Sequence, residues 1–432
     1  MNRRSFLKKG GLGAIALPIT LNGISFNSIA NNAFIKALSA VSAQNRILVV
    51  IQLNGGNDGL NMVIPTAAYQ HLSLDSSAGG RKSILIPETS VLNFYHGGVQ
   101  QHSGTGLHPA MSGISTLFQQ GQLGVVQGVG YPNPSFSHFR ATDIVLSGSD
   151  SNVYEDTGWI GRYLDHQHPN YASNPPLNPL AITIGAIGSN VYDSTAMNMG
   201  IAVQDSQSTG FISGNVDVAP DSLYGYELQH IRNIAQQSSK YSSAISTAYS
   251  NGSNSVQYPA NNPLANQLKT VARLIKGDLN SNFYMVNMGS FDTHDGQVNS
   301  SSPLSGWHAN LLTQLSEAML AFQSDLAAMS NSLGQLDEQV LGLTISEFGR
   351  TIKSNSTFGT DHGTTAPMLL FGKDVEPHIL GSNPSVWDSA KNEMRSDLNM
   401  QFDFRSIYAS ILHQWFNLPK TVVDSLFNKN FL

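Results

Sequence analysis

Residues Arg46 to Pro65 read RILVVIQLNGGNDGLNMVIP. Ile47 to Ile51 are apolar without a break and mostly β-branched, which predicts a strand buried on both faces. The strand runs into Asn54-Gly55-Gly56-Asn57, a backbone free to turn tightly and to lie close to a neighbour. Asp58 follows, the first acidic residue of the chain. In open α/β sheets ligands gather beyond the carboxyl ends of the strands. A carboxylate at this place therefore predicts a metal ligand, or else a turn residue capping the next segment.

Further strands lead to similar clusters. Leu123 to Val129 is a second apolar run, preceded by Gly106-Leu107-His108-Pro109 and a short helix from Met111 to Gln120. It ends in a Pro- and Ser-rich loop, Gly130 to Arg140, that includes Ser135, Ser137, His138 and Arg140. Ser137 is expected either as the N-cap of a helix from His138 to Leu146 or as a hydroxyl facing an anionic ester. Leu264, Leu268, Val271 and Ile275 fall at helical spacing, and the strand Phe283 to Met288 ends in Asp292-Thr293-His294. Leu312, Leu315, Met319, Phe322, Leu326, Met329 and Leu333 step by three and four, the stripe of one long core helix. Val340 to Ile345 ends in Ser346-Glu347-Phe348-Gly349-Arg350, Asp361-His362-Gly363 precedes a last core strand, Met368 to Phe371, and Phe404 to Trp415 closes the chain as a helix. Strands alternating with helices predict an α/β fold, a mostly parallel central sheet with helices on both faces.

Composition narrows the chemistry. The 432 residues include no cysteine, so disulfides, thiolate metal sites and cysteine nucleophiles are excluded. Any metal must rest on His, carboxylate, hydroxyl or amide ligands. The start, Asn2-Arg3-Arg4-Ser5-Phe6-Leu7-Lys8-Lys9 and a weakly apolar run to Leu21, predicts a signal peptide of the twin-arginine type over residues 1–43. The apolar run is too short to span a bilayer, so no stable transmembrane segment is expected. Cleavage after Ala43, with Ala30 as the rival site, would remove five basic residues and take the net charge from -6 to about -11. That balance, without a basic stripe, argues against a nucleic-acid partner. The expected partners are the twin-arginine export machinery and an anionic ester, and the expected place is the periplasm or the exterior. Residues 44–432 are read as a single domain. Asn, Ser and Gly crowd the region of roughly 150–262, which predicts surface insertions around a helix at Trp159 to Leu164 and a strand at Leu180 to Ile184.

Asp58, Asp292, His294, Glu347, Asp361 and His362 thus supply oxygen and nitrogen donors at strand ends from separated regions, a set suited to a hard or borderline divalent cation. Zinc is favoured, with calcium, manganese and magnesium as alternatives, in one or two sites. The phrases Leu53 to Asn61, Ser137-His138-Phe139-Arg140, Phe291 to His294, Ser346 to Thr351 and Asp361 to Pro367 resemble the exported bacterial family called domain of unknown function 1501, over nearly the whole of residues 44–432. More broadly, the order of motifs is similar to the alkaline phosphatase and sulfatase superfamily. That resemblance implies an alkaline phosphatase-like domain with Asp58 as a first-strand metal ligand. It implies Asp292, His294 and His362 as ligands of the other metal, Glu347 at an acidic ligand position and Ser137 near the nucleophile. Phe348 stands where the superfamily has a histidine, and Asp292 and His294 are closer together than its usual pair. Ser137-His138-Phe139-Arg140 lacks the proline of the sulfatase motif.

The function expected is an exported metal-dependent hydrolase of an anionic ester, most of all a phosphoester, on a small molecule, glycan or lipid, with serine or water attacking. Arg140 and Arg350 would clamp anionic oxygens, and His138 or His108 would serve as general acid or base. The alternatives are a non-catalytic envelope binding or assembly protein on a degenerate hydrolase fold, and a transferase moving a phosphorylated head group onto a glycan.

Overall fold

The computed structural model describes residues 45–74, 80–185, 188–203 and 241–432, together with two short antiparallel strands, Ile19–Leu21 and Ile24–Phe26. Beyond those two strands, the expected signal peptide lies outside the described residues, as does the stretch 204–240 of the expected insertions.

A nine-stranded sheet forms the centre. Its strands are β1 (Ile47–Leu53), β2 (Leu123–Gly130), β3 (Ala181–Ile184), β4 (Gly200–Val203), β5 (Phe283–Met288), β6 (Val340–Ser346), β7 (Ala366–Phe371), β8 (Ile379–Leu380) and β9 (Phe402–Asp403). The order is β4-β3-β5-β1-β6-β7-β2-β8, with β9 also paired to β2. The fold is α/β with a mostly parallel sheet: β7 alone among these strands runs against its neighbours, β6 and β2.

β1 is buried from end to end, as its unbroken apolar run requires. Successive side chains point to opposite faces. Ile47, Val49, Ile51 and Leu53 join a core built with α1 (Ser112–Gln119), α4 (Pro263–Lys276) and α5 (Trp307–Ala327). Leu48 and Val50 join a second core with α2 (His138–Ser147), α3 (Trp159–Gln167), α6 (Phe404–Ser410) and α7 (Lys420–Phe427). Full burial of each such side chain is worth about 1.5–3 kcal/mol, so both faces hold β1 in place. α4 is set by its ends: Asn262 accepts from Ala265 N–H, Pro263 opens the helix, and Arg273 and Lys276 lie in the last turn.

Several expected boundaries move. α5 ends at Ala327, so Met329 and the exposed Leu333 continue the spacing outside the helix. The closing helix divides into α6 and a π-turn, Ile411–Trp415. β4, β8, β9 and α7 were not legible as elements: the three strands have only two to four residues, and α7 lies beyond the last periodic run recognised.

Register explains where function can sit. Leu53 pairs with Met288 on one side and with Ser346 on the other, so β1, β5 and β6 end abreast. Their exit loops, 54–58, 289–294 and 347–350, leave the sheet side by side. Because β7 runs the opposite way, its entry loop, with Asp361 and His362, reaches the same edge. Ala366 pairs with Val129 near the end of β2, which brings the loop leading to α2 there as well.

Candidate metal centre

The Gly55-Gly56 turn is the floor of this edge. Both glycines have positive φ, 114° and 81°, where a side chain would be strained. A Cβ on Gly55 would come within 2.3 Å of the Asp292 backbone nitrogen, and one on Gly56 within 2.3 Å of the Phe348 ring. The turn is thus packed against both neighbouring loops. Ser290, two residues before Asp292, also has a left-handed backbone, φ 73°, a conformation that costs energy without glycine and recurs at functional sites.

Three imidazoles converge on one carboxylate. His362 Nε2 lies 3.1 Å and His294 Nε2 3.2 Å from Asp292 Oδ1, and His138 Nε2 lies 3.4 Å from Oδ2. The opposite nitrogen of each ring meets an oxygen: His362 Nδ1 the Phe136 carbonyl at 2.8 Å, His138 Nδ1 Glu347 Oε2 at 2.8 Å, and His294 Nδ1 Asp361 Oδ1 at 3.2 Å. A carbonyl can only accept, so His362 Nδ1 carries a hydrogen. Glu347, nearer to His138 than Asp292 is, favours the same tautomer there, whereas His294 has a carboxylate at 3.2 Å on each side. The Nε2 atoms of His362 and His138 are then lone pairs aimed at an anionic oxygen. Such an arrangement repels unless positive charge lies between the donors. Three imidazolium ions would supply it, but their rings are crowded, with His362 centred 4.6 Å from both His138 and His294. One divalent cation between them would satisfy the lone pairs of His138 and His362 at once. Donor atoms of His138, Asp292 and His362 lie within 4.8 Å of one another, and His–carboxylate or His–carbonyl pairs behind ligating rings are the usual support of a metal site. The donors present therefore fit a divalent ion of His and carboxylate ligation.

Glu347 and Asp361, expected as ligands, instead stand behind histidines. Glu347 Oε1 also accepts from Gly55 N–H, tying His138 to the glycine turn. His138, expected as an acid or base, belongs to the converging set. Phe348 is buried with its ring 4.4 Å from that of His362 and 5.2 Å from that of His138. Among the described residues one such donor group is present.

Asp58 is corrected from ligand to scaffold. It is 1% exposed, its Oδ1 accepts from Leu60 N–H, and its Oδ2 accepts from Arg81 and Gln297. Burial would raise its pKa, but Arg81, His308 and Gln297 outweigh that and hold it below the usual carboxylate value. The link back to the centre is Gln297, fully buried, whose Oε1 accepts from Thr293 at 3.0 Å and from Thr360 at 2.8 Å. Those threonines adjoin Asp292, His294 and Asp361. Arg81 and Gln297 escaped the sequence reading because the contacts joining them to Asp58 span 23 and 239 positions. Asp58→Asn is expected to destabilise the fold by about 3 kcal/mol, since it leaves the buried Arg81 charge uncompensated. It should leave cation stoichiometry unchanged, as measured by urea unfolding and metal analysis of the folded fraction.

Both expected arginine clamps are engaged elsewhere. Arg350, 1% exposed, donates to the carbonyls of Gly55, Gly56, Phe291 and Thr360 and to Asp292 Oδ1 at 2.6 Å. Burial pushes Asp292 up, but the Arg350 guanidinium bonded to it opposes this, and the carboxyl stays below its ordinary pKa. Arg140 pairs with Asp143, donates to the carbonyls of Asp150, Ser151 and Val153, and lies 4.0 Å from the Tyr154 ring centroid. Ser137 occupies the N-cap position of α2, yet its side chain caps no N–H and is exposed. Ser135 Oγ accepts from Ser137 N–H at 3.3 Å.

His108 is not an acid or base here. It is buried beside His308, its Nδ1 accepts from Ala110 N–H, and burial with that neighbour pushes its pKa down to about 3. Burial likewise takes His308 to about 4. In the unfolded chain both would protonate near pH 6.5. Between that pH and about 4 the unfolded state binds more protons, so stability falls as pH falls. A loss of about 2 kcal/mol for each ring is expected at pH 5, from 1.36 kcal/mol per pKa unit. Urea midpoints at pH 7.5 and 5 check it, and His308→Gln should remove about half of the difference.

No curated protein matches this chain. Among solved structures it is similar to a protein in the alkaline phosphatase superfamily from Vibrio parahaemolyticus, with 12% identity over 83% of this chain and 66% of that one and a TM-score of 0.35. The chain thus spans just under two thirds of that protein's length. It is also similar to the PH0037 protein from Pyrococcus horikoshii, with 11% identity, coverage of 86% and 97% and a TM-score of 0.32. A third is the lipoteichoic acid synthase LtaP from Listeria monocytogenes, with 9% identity, coverage of 82% and 71% and a TM-score of 0.28. These are likenesses of fold. In sequence, residues 45–427 match the model of the family described as Protein of unknown function (DUF1501), and the chain belongs to that family.

Proposed function

We propose that the protein is a metal-dependent hydrolase of an anionic ester, a phosphoester above all. One observation carries the reading: the three imidazole Nε2 atoms facing the Asp292 carboxylate at 3.1–3.4 Å, each ring backed by an oxygen acceptor. His138, Asp292 and His362 would hold the cation, with His294 beside Asp292. A divalent ion so held polarises an ester oxygen and offsets the negative charge that develops on it. Glu347, Asp361 and the Phe136 carbonyl fix the ring tautomers, and Arg350 fixes the Asp292 carboxylate. With both arginines occupied, the further pull on ester oxygens comes from the N-terminus of α2, whose first residue is His138. Ser137, exposed and next to His138 in sequence, or a water would be the nucleophile. The site opens to solvent, with Asp292 and His294 44% and 42% exposed, which suits a substrate arriving from outside. Among the described residues no helix is long and apolar enough to cross a membrane. The reading includes export by the signal at residues 1–43 and action in the periplasm or outside the cell.

The test is metal analysis of the purified protein, then turnover of a phosphoester and sulfate-ester panel with and without a chelator. One bound cation and chelator-sensitive phosphoester turnover are expected. Ser137→Ala should lower turnover at least about 1000-fold if serine attacks, and by less than about 3-fold if water does. A second reading, a binding protein on a hydrolase scaffold, draws on Phe348 packed against two of the histidines. Stoichiometric metal without turnover on any ester would favour it.

A further inference from the structure

Beside the metal centre the same sheet edge carries a wide cleft of about 610 Å³, within the range of small-molecule sites. Its walls come from the ends of β1, β3 and β5, from the loop after β3 and from one side of α2. None of the twelve lining residues is ionisable. The polar groups are amides and hydroxyls, among them Gln52, Asn54, Thr142, Asn190 and Asn287. Two features join it to the centre. Asn54 immediately precedes Gly55, the residue that donates to Glu347. Along α2, Thr142 and Leu146 stand four and eight residues after His138, so the helix that begins at the centre turns the same side toward the cleft. Phe139, three residues before Thr142, is 91% exposed on that stripe.

This combination selects a ligand class. Among the described lining residues a charged group would find no counter-charge. A wholly apolar group would strip water from several amides without replacing their hydrogen bonds. A group with many hydroxyls can both donate to and accept from amides, since each amide offers both functions. The exposed Phe139 ring offers a flat face of the kind that the C–H face of a pyranose covers. The Asn54 to Asn287 amide contact is long, 3.4 Å, and is readily exchanged for bonds to a ligand.

We propose that this cleft binds an uncharged sugar unit, placing an anionic ester attached to a glycan at the adjacent metal centre. As a substrate assignment it rests on the hydrolase reading above; as a binding site it does not.

The test uses the purified full chain and an array of uncharged gluco-, galacto-, manno- and N-acetylhexosamine oligosaccharides, with hits measured by calorimetry. In parallel, turnover of 4-nitrophenyl phosphate, which has no sugar, is followed. Saturable binding of at least one oligosaccharide class is expected. Thr142→Trp, which fills the cleft, should weaken it at least about 10-fold, and Asn190→Ala about 3- to 10-fold, the loss of one or two hydrogen bonds. Neither variant should change 4-nitrophenyl phosphate turnover more than about 2-fold. Should Thr142→Trp fail to fold, Asn190→Ala at its exposed position carries the comparison. No binding anywhere on the array, or binding unchanged in the folded variants, overturns the proposal. Phosphoester turnover with no sugar binding removes the cleft assignment alone. Cleft-dependent sugar binding with no ester turnover upholds the binding site and removes the hydrolase reading.

Discussion

Asp292→Asn is expected to lower divalent-cation affinity by at least about 100-fold, more than the 10- to 100-fold typical of a residue behind the ligands, and to remove turnover with it. The size follows from geometry. Asp292 is the one group that all three histidines face, at 3.1–3.4 Å, so it supplies the charge around which they are arranged. Asparagine keeps the volume and one acceptor but removes the negative charge and places an N–H₂ group toward one of the rings. Arg350 would keep its four carbonyl partners, so the fold should survive, and urea midpoints should stay within about 1 kcal/mol of the parent. Calorimetric zinc titration of wild type and variant reads the affinity. Glu347→Gln, two bonds removed from the cation, should fall between the two.

The second large effect is on stability. Arg350→Met should destabilise the protein by about 5 kcal/mol, the upper end for removing one member of a buried charged network. Its guanidinium joins three loops, Gly55-Gly56 after β1, Phe291-Asp292 after β5 and Thr360 before β7, that otherwise share single backbone bonds, Phe291 N–H to the Asn54 carbonyl and Thr360 N–H to the Thr293 carbonyl. Methionine fills much of the volume yet leaves four buried carbonyls without that donor. Arg350→Lys should recover less than half of the loss, because an ammonium group has three donors and lacks the planar fork. Denaturant unfolding of the three proteins measures the series. Wild-type stability in Arg350→Met would show that the loops are fixed by something else.

These two residues also show what the sequence could and could not carry. β1, β5 and β6 were legible because long apolar runs have few alternatives, and the acidic and histidine residues at their ends were legible because strand ends are where such sheets bind ligands. That the ends lie level depends on register, which joins Leu53 to Met288 and Ser346 across hundreds of residues and leaves no local trace. The order of roles around the cation was likewise hidden. Glu347 and Asp361 read as ligands because they are carboxylates in the right loops; their place behind His138 and His294 depends on side-chain direction. Asp58 illustrates the point most sharply. It sits at the expected strand end, but a buried Arg81 from a Ser- and Gly-rich loop takes its charge, and no spacing rule predicts that partner. Arg350 was read as a clamp for substrate because a guanidinium matches anionic oxygens; backbone carbonyls use the same donors.

The central claim is that His138, Asp292 and His362 form a cation site, with His294 beside it. The most direct measurement is a crystal structure of the zinc-loaded protein with anomalous data at the zinc edge. One zinc ion is predicted, with Nε2 of His138 and His362 and an Asp292 oxygen at about 2.0–2.2 Å. Zinc bound only at other residues, or no zinc at saturating concentration, would contradict the account.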